Sequence, residues 1–273
     1  MGRAPATSAA GLTAQGESLL ATCRTLPEEV PVAMVFDGTT LAVMMASPGD
    51  IEDFALGFAL SEGVITSRDE IAGFETAEHS AGIEARFWLR ADRSEALAAR
   101  RRFMAGPVGC GLCGIDSLEQ AGRALPVLAD DGLRLSREDV LGATEALRAH
   151  QPLHDLTRAT HAAGFLRPGA GIVLAREDVG RHNALDKLIG ALARGGIDPA
   201  SGAFVLTSRL SVELVQKCAI AGCPVLIAVS APTAHALRLA QGAGITLAAF
   251  VRRGGFDLYS HPQRIQSEVS DVA

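Results

Sequence analysis

The feature that most constrains this chain is the alternation in its second half, where short apolar runs take turns with amphipathic stretches. Gly171–Ala175 precedes a helical pattern over Ala184–Ala193, and Ala203–Thr207 precedes one over Ser211–Ala221. Val225–Val229 precedes Thr233–Gln241, and Ile245–Val251 closes the series. Runs that are apolar on every residue suit strands covered by helices on both faces. The pattern predicts a three-layer α/β/α domain over residues 126–273, with its binding crevice at the strand C-termini. His161–Leu166 reads as one more strand. Ser136–Ala149 reads as a helix opened by Ser136, with Asp139 three residues on in a relative of the capping box.

The first half is organised differently. Val30–Phe36 ends at Asp37-Gly38, a hairpin signal, and Thr40–Ala46 reads as the return strand. Ser47-Pro48-Gly49-Asp50 then breaks the pattern and supplies capping groups for a helix over Ile51–Ser61, marked by the stripe Ile51, Phe54, Ala55 and Phe58. Ile71–Glu78 and Ile83–Leu89 read as strands and Arg93–Phe103 as a helix. Residues 25–115 are therefore expected to form a smaller α+β domain. Met1–Gln15 is rich in Ala, Gly and Thr and holds no apolar h-region, so residues 1–24 read as a disordered leader and not as a signal peptide.

Composition excludes several classes of function. A chain of 273 residues can bury a core without disulfide or metal staples. Aromatics are only 4 % and the formal charge is −6. That argues against a base-stacking surface and against a general basic footprint for nucleic acid, so any anion site must be local. No apolar run reaches the ~18 residues of a membrane span. A cytoplasmic protein with no membrane and no nucleic-acid partner is expected. The five cysteines, Cys23, Cys110, Cys113, Cys218 and Cys223, read as thiols and not as a disulfide framework. Cys218 and Cys223 flank a predicted helix end with Gly222 and Pro224 as stop signals, and read as packing residues.

Three stretches could carry chemistry. Gly109-Cys110-Gly111-Leu112-Cys113-Gly114 matches a dinucleotide fingerprint literally, but no strand precedes it, so that reading is rejected. Its informative part is the Cys-x-x-Cys, whose flanking glycines keep bulk off the sulfurs. Incidental thiols, a zinc site completed by a second chain, a redox pair and a persulfide carrier all remain open readings of that spacing. Arg176-Glu177-Asp178-Val179-Gly180-Arg181-His182-Asn183 sits where a strand gives way to a helix, which suits a ligand crevice. Its bland alternative is a solvated loop in which Asn183 caps the helix and Glu177 pairs with Arg181. Thr207-Ser208-Arg209 and Ser230–Thr233 offer hydroxyls at helix starts, where ordinary capping competes with phosphate binding. Phe250-Val251-Arg252-Arg253-Gly254-Gly255 follows the last strand, with two Arg forks beside two glycines: a phosphate cradle or a basic turn.

Taken together, these motifs resemble one family, the formate dehydrogenase accessory sulfurtransferases (FdhD). The resemblance rests on Gly109–Ile115, on Arg176–Lys187, on Ser230–Thr233, and on Phe250–Gly255 with Tyr259–Arg264, and it extends to Pro48–Gly63. It implies an α/β domain similar to the cytidine deaminase fold. The zinc signature of deaminases is missing, since Ala162-Ala163 follow His161 where His-x-Glu is needed. The resemblance further implies that a cysteine desulfurase passes persulfide sulfur to Cys110, with Cys113 assisting. The sulfur then goes to a molybdenum cofactor carrying two molybdopterin guanine dinucleotides, which formate dehydrogenase requires. By the same resemblance Phe250 through Gly255 bind that cofactor, with GDP or GMP as its mimic. Asp178, Arg181 and His182, which lie just past a predicted buried strand, are expected to line the crevice, and a homodimer is expected. No resident metal is implied. A non-catalytic cofactor carrier, with a structural zinc at the Cys-x-x-Cys loop, is the alternative from another class.

Overall fold

The computed structural model describes residues 3–94, 124–130 and 132–266. The Cys-x-x-Cys stretch with Cys110 and Cys113, and most of the helix expected over Arg93–Phe103, lie outside the described residues.

The smaller sheet follows from the alternation read above. Strands β3 (Val30–Phe36) and β4 (Thr39–Ala46) pair antiparallel through Asp37-Gly38. β5 (Ile71–His79) and β6 (Gly82–Leu89) form a second hairpin, and β6 joins β3 in parallel to give the order β4-β3-β6-β5. Helix α1 (Ile51–Ser61) covers this sheet, and Phe54, Phe58, Met34, Phe36 and Phe87 fill the core between them. The expected side-chain cap at its start is not made. Asp50 occupies the N-cap with left-handed backbone and no side-chain bond, while Ser47 turns toward residues far along the chain.

The larger sheet has the order β12-β11-β10-β9-β7-β8. β7 (His161–Arg167) and β8 (Gly171–Asp178) pair antiparallel, and β7 is also antiparallel to β9 (Ala203–Leu206). β9, β10 (Val225–Ala228) and β11 (Thr246–Arg252) run parallel. Two reversals through β7 give β8 the same direction as β9, so β8 to β11 all end at one edge. Helix α2 (Arg137–Arg148), opened by the full Ser136–Asp139 capping box, covers one face with Val140, Ala143 and Leu147. A short helix, α3 (Pro152–Thr157), follows it. Helices α4 (Arg181–Gly195), α5 (Val212–Ala221) and α6 (Ala234–Gly242) cover the other face with Leu185, Leu188, Leu214 and Ala240. The mixed α/β architecture, three-layered in this half, is the one expected from the pattern.

One expectation is corrected. Residues assigned to a disordered leader form an antiparallel hairpin, β1 (Ala6–Gln15) with β2 (Ser18–Pro27), turning at Gly16. Ala and Thr alternate weakly there, so the side-chain pattern is poor, but ladder bonds need no particular side chain. No strand is expected after Val251, yet β12 (Gly255–Ser260) returns along β11 as an antiparallel edge strand, with Arg253-Gly254 as the tight turn between them.

Candidate functional site at the strand ends

Asp178 closes β8, Leu206 closes β9, Ala228 closes β10 and Arg252 closes β11, while His161 opens β7 directly opposite Asp178. Backbone bonds knit the loops of this edge together. Leu210 N–H donates to Ala231 O at 3.0 Å, Thr233 N–H to Leu210 O at 3.0 Å and Phe250 N–H to Ser230 O at 3.4 Å. Four sequence-distant motifs thus share one rim of the larger sheet.

The structure separates the residues of the Arg176–Asn183 motif by role. Asp178 is fully buried and faces inward, not into the crevice. One carboxylate oxygen accepts from Ser47 N–H at 3.0 Å and pairs with Lys187 Nζ at 2.7 Å. The other accepts from Gly180 N–H at 2.8 Å and from Asn183 Nδ2 at 2.9 Å. Lys187 also donates to Ser47 O at 3.0 Å, and Asn183 to Met45 O at 2.8 Å. With both oxygens taken, Asp178 is an anchor between the two halves of the chain and leaves nothing for a ligand. Nor does Glu177 pair with Arg181. It accepts from the backbone N–H of Leu153 and of His154, both at 2.8 Å, and so caps the start of α3.

Arg181 and His182 form the first turn of α4, whose N-cap is Gly180 with no side-chain cap bond. Arg181 Nε is buried and has no hydrogen-bond partner among the described residues. An unpaired guanidinium nitrogen beside uncapped helix N–H groups is a feature that an anion satisfies. His182 Nε2 lies 2.8 Å from Glu213 Oε2 and 3.3 Å from Ser211 Oγ, in the first turn of α5. That hydrogen bond holds the Glu213 carboxyl far down, at about 2. His161 is half-buried, and burial together with the Arg181 charge pulls its imidazole below the usual range, favouring the neutral ring.

The hydroxyls at the other strand ends are engaged locally. Thr207 Oγ1 accepts from Ala162 N–H at 2.9 Å, Ser208 donates to Arg209 O at 3.0 Å, and Thr233 caps α6 by accepting from Ala236 N–H at 3.1 Å. Ordinary capping and strand linkage account for these three.

Phe250 is unusual. It sits on a bulge where Ala249 pairs with Asp257 but Arg252 pairs with Gly255, and its φ is 54°. A bulky side chain in left-handed backbone is an outlier costing on the order of 1–2 kcal/mol, and such strain concentrates at functional sites. The ring is 42 % exposed on the rim. Val251 is buried beneath the sheet, facing α2. Arg252 is exposed and makes no ion pair with the described residues, whereas Arg253 pairs with Glu145 of α2. The two arginines of the expected cradle are therefore not equivalent. Among the described residues no cluster of His, Cys, Asp and Glu could hold a metal ion.

Of the remaining cysteines, Cys218 and Cys223 are buried as expected, and Cys218 donates to Cys223 O at 3.2 Å. Burial pushes the Cys218 thiol well up, which leaves it unreactive.

This architecture matches a solved one. The putative formate dehydrogenase accessory protein from Desulfotalea psychrophila superposes with a TM-score of 0.75 at 22 % identity, over 96 % of this chain and all of that one. The match places the chain among proteins of that fold. At the level of sequence, residues 27–266 match the FdhD/NarQ family model. The sulfur carrier protein FdhD of Agrobacterium fabrum is 53 % identical over 242 residues, 89 % of each chain. That of Bordetella bronchiseptica is 50 % identical over 238 residues, 87 % of this chain and 86 % of its own. The chain belongs to the FdhD/NarQ family.

Glu213 and the Ser47–Asp178–Lys187 anchor were not foreseen. An acid in the first turn of a helix is an ordinary stabilising feature, and nothing local marks Glu213 as the partner of a histidine in another helix. Lys187 lies on the face of α4 that also carries Leu188 and Ala184. A charged residue buried in such a stripe is the one available signal that a partner waits in the core.

Proposed function

We propose that this protein is a sulfur carrier for the maturation of formate dehydrogenase, receiving persulfide sulfur on Cys110 and delivering it to a molybdenum cofactor that carries guanine dinucleotides. What supports this reading is membership of a family whose relatives bear the name sulfur carrier protein, together with the rim of Arg181, His182, Phe250 and Arg252 on an otherwise acidic chain. Positive charge focused locally attracts a polyanion that the net charge of −6 repels. Arg252 offers a free fork for phosphate oxygens, and the exposed Phe250 ring offers a flat apolar face for a base.

In the first step the Cys110 thiolate attacks the terminal sulfur of a persulfide on a cysteine desulfurase. One S–S bond breaks as another forms, the desulfurase leaves as its thiolate, and no net oxidation occurs. Cys113 assists release to the cofactor, which is cargo and not a resident group. Formate dehydrogenase is the recipient. The chain works as a homodimer in the cytoplasm; among the described residues no helix is long and apolar enough to cross a membrane.

Intact-mass measurement after incubation with a desulfurase and cysteine tests the reading. Wild type is expected to gain the mass of one sulfur atom and Cys110→Ala none, with loss of formate dehydrogenase maturation in the variant. A Cys110→Ala protein that supports full maturation would sink it. Stoichiometric zinc that disappears with the same substitution would instead favour a carrier with a structural metal.

A further inference from the structure

His182 has two ring nitrogens, and the structure accounts for one. Nε2 lies 2.8 Å from Glu213 Oε2, with Ser211 Oγ at 3.3 Å from the same nitrogen. Ser211 in turn donates to Glu213 Oε2 at 3.1 Å. Nδ1 makes no hydrogen bond with the described residues. A carboxylate can only accept, so the proton between the two groups belongs to Nε2. In a neutral imidazole the bond made by one nitrogen sets the state of the other.

We propose that Glu213 is a positioning residue for His182: its carboxylate holds the ring proton on Nε2 and fixes the ring, leaving Nδ1 as the atom that meets an anionic ligand at the strand ends. The ligand half of this inference rests on the reading of the rim as a phosphate site; the tautomer half stands on geometry alone. Three features favour the assignment. Glu213 and His182 come from the first turns of different helices, α5 and α4, so their contact joins two loops of the rim and is not a local helix pair. Ser211, the N-cap of α5, makes no cap bond with its side chain and spends it on Glu213. Arg181, adjacent to His182, adds positive charge on the same turn and pulls on Glu213 as well. His161 lies close enough to feel the His182 charge, and burial lowers its own imidazole, favouring the neutral ring. With both ring nitrogens protonated, Nδ1–H donates a hydrogen bond to the phosphate oxygen, while Nε2–H keeps its hydrogen bond to Glu213. No covalent bond to the ligand forms.

The test uses the full chain labelled with ¹⁵N-histidine. At alkaline pH, where the ring is neutral, the ¹⁵N shifts of His182 are expected to report the Nε2–H tautomer in wild type. They should report the same tautomer in Glu213→Gln, whose amide carbonyl still accepts, and a tautomer mixture in Glu213→Leu. A wild-type ring protonated on Nδ1, or a Glu213→Leu ring unchanged from wild type, overturns the positioning role. GDP titration supplies the second arm. Affinity should fall about tenfold in Glu213→Leu, the worth of one well-oriented hydrogen bond, and less in Glu213→Gln. Equal loss in both variants would assign the effect to charge and overturn the positioning role. GDP that fails to bind wild type overturns the ligand half and the phosphate reading of the rim, while the tautomer result stands independently.

Discussion

Gly57 and Gly190 meet backbone to backbone where α1 crosses α4. A Cβ on Gly57 would stand 1.7 Å from the Asp186 carbonyl oxygen, and one on Gly190 would stand 1.9 Å from that of Asp53. Neither neighbour is a movable side chain, so the two helices must separate to admit a methyl group. Charged residues fasten the same crossing. Buried Asp53 accepts from Arg176 Nε at 2.8 Å and Arg194 Nη1 at 2.7 Å, and buried Lys217 donates to Ser61 Oγ at 2.8 Å and Asp186 at 3.0 Å. Gly57→Ala is therefore expected to cost about 3 kcal/mol or more, at the upper end of overpacking. Chemical denaturation checks this; a loss under about 1 kcal/mol would show that the crossing relaxes freely.

The Asp178 anchor predicts a split between stability and binding. Asp178→Ala leaves Lys187 buried without its counter-charge and should destabilise the fold by about 3–5 kcal/mol. Arg181→Ala removes a side chain with an unpaired nitrogen, and should change the melting temperature little while weakening GDP binding. Thermal unfolding and calorimetric titration of both variants decide it. The opposite ranking would return Asp178 to the crevice.

Glu213 makes a pH prediction. Its carboxyl titrates at about 2 in the folded protein against an ordinary 4.5, because His182 donates to it. The unfolded chain therefore binds the proton first as the pH falls. The stability from this pair is complete above the unfolded value and drains away between about pH 4.5 and 2. Glu213→Gln should be less stable than wild type by about 1–2 kcal/mol at mildly acidic pH, discounted for partial exposure, and the gap should close toward pH 2. Urea titrations across that range measure it.

Arg252 and Arg253 should behave differently in GDP titrations. Arg253 is already paired with Glu145 and lies in the turn, whereas Arg252, exposed at the end of β11, makes no ion pair with the described residues. Arg252→Ala is expected to weaken binding about tenfold, and Arg253→Ala by much less. Arg252→Lys should recover only part, lacking the planar fork. A larger effect from Arg253 would mean that the ligand displaces Glu145.

The cysteines can be ranked by maleimide labelling of the native protein. Cys23 is exposed and should react at once, while buried Cys218 and Cys223 should react only after unfolding. Replacing both buried residues by Ala is expected to cost stability and leave persulfide formation intact.

Much of this molecule follows from periodicities within a few residues of each other. The helix over Ile51–Ser61, the Asp37-Gly38 hairpin, the Ser136–Asp139 capping box and the alternating second half are all local patterns, and all occur where the pattern places them. So does the convergence of strand ends, which strand direction alone dictates. What the sequence leaves open is the partner of each polar group. Arg176–Asn183 reads as one polar loop, yet Asp178 turns inward because Ser47, 131 positions away, offers it a backbone N–H, and Lys187 offers it a charge. His182 gains Glu213 from another helix, and Arg253 loses its freedom to Glu145, 108 positions away. The hairpin of β1 with β2 and the edge strand β12 escape notice because their ladders are made by backbone groups that every residue carries. Apolar burial repeats along the chain with the period of the element and is therefore legible in sequence. Hydrogen-bond and charge pairing are satisfied across space, by whichever donor the packed layers bring near, and only the tertiary structure decides them.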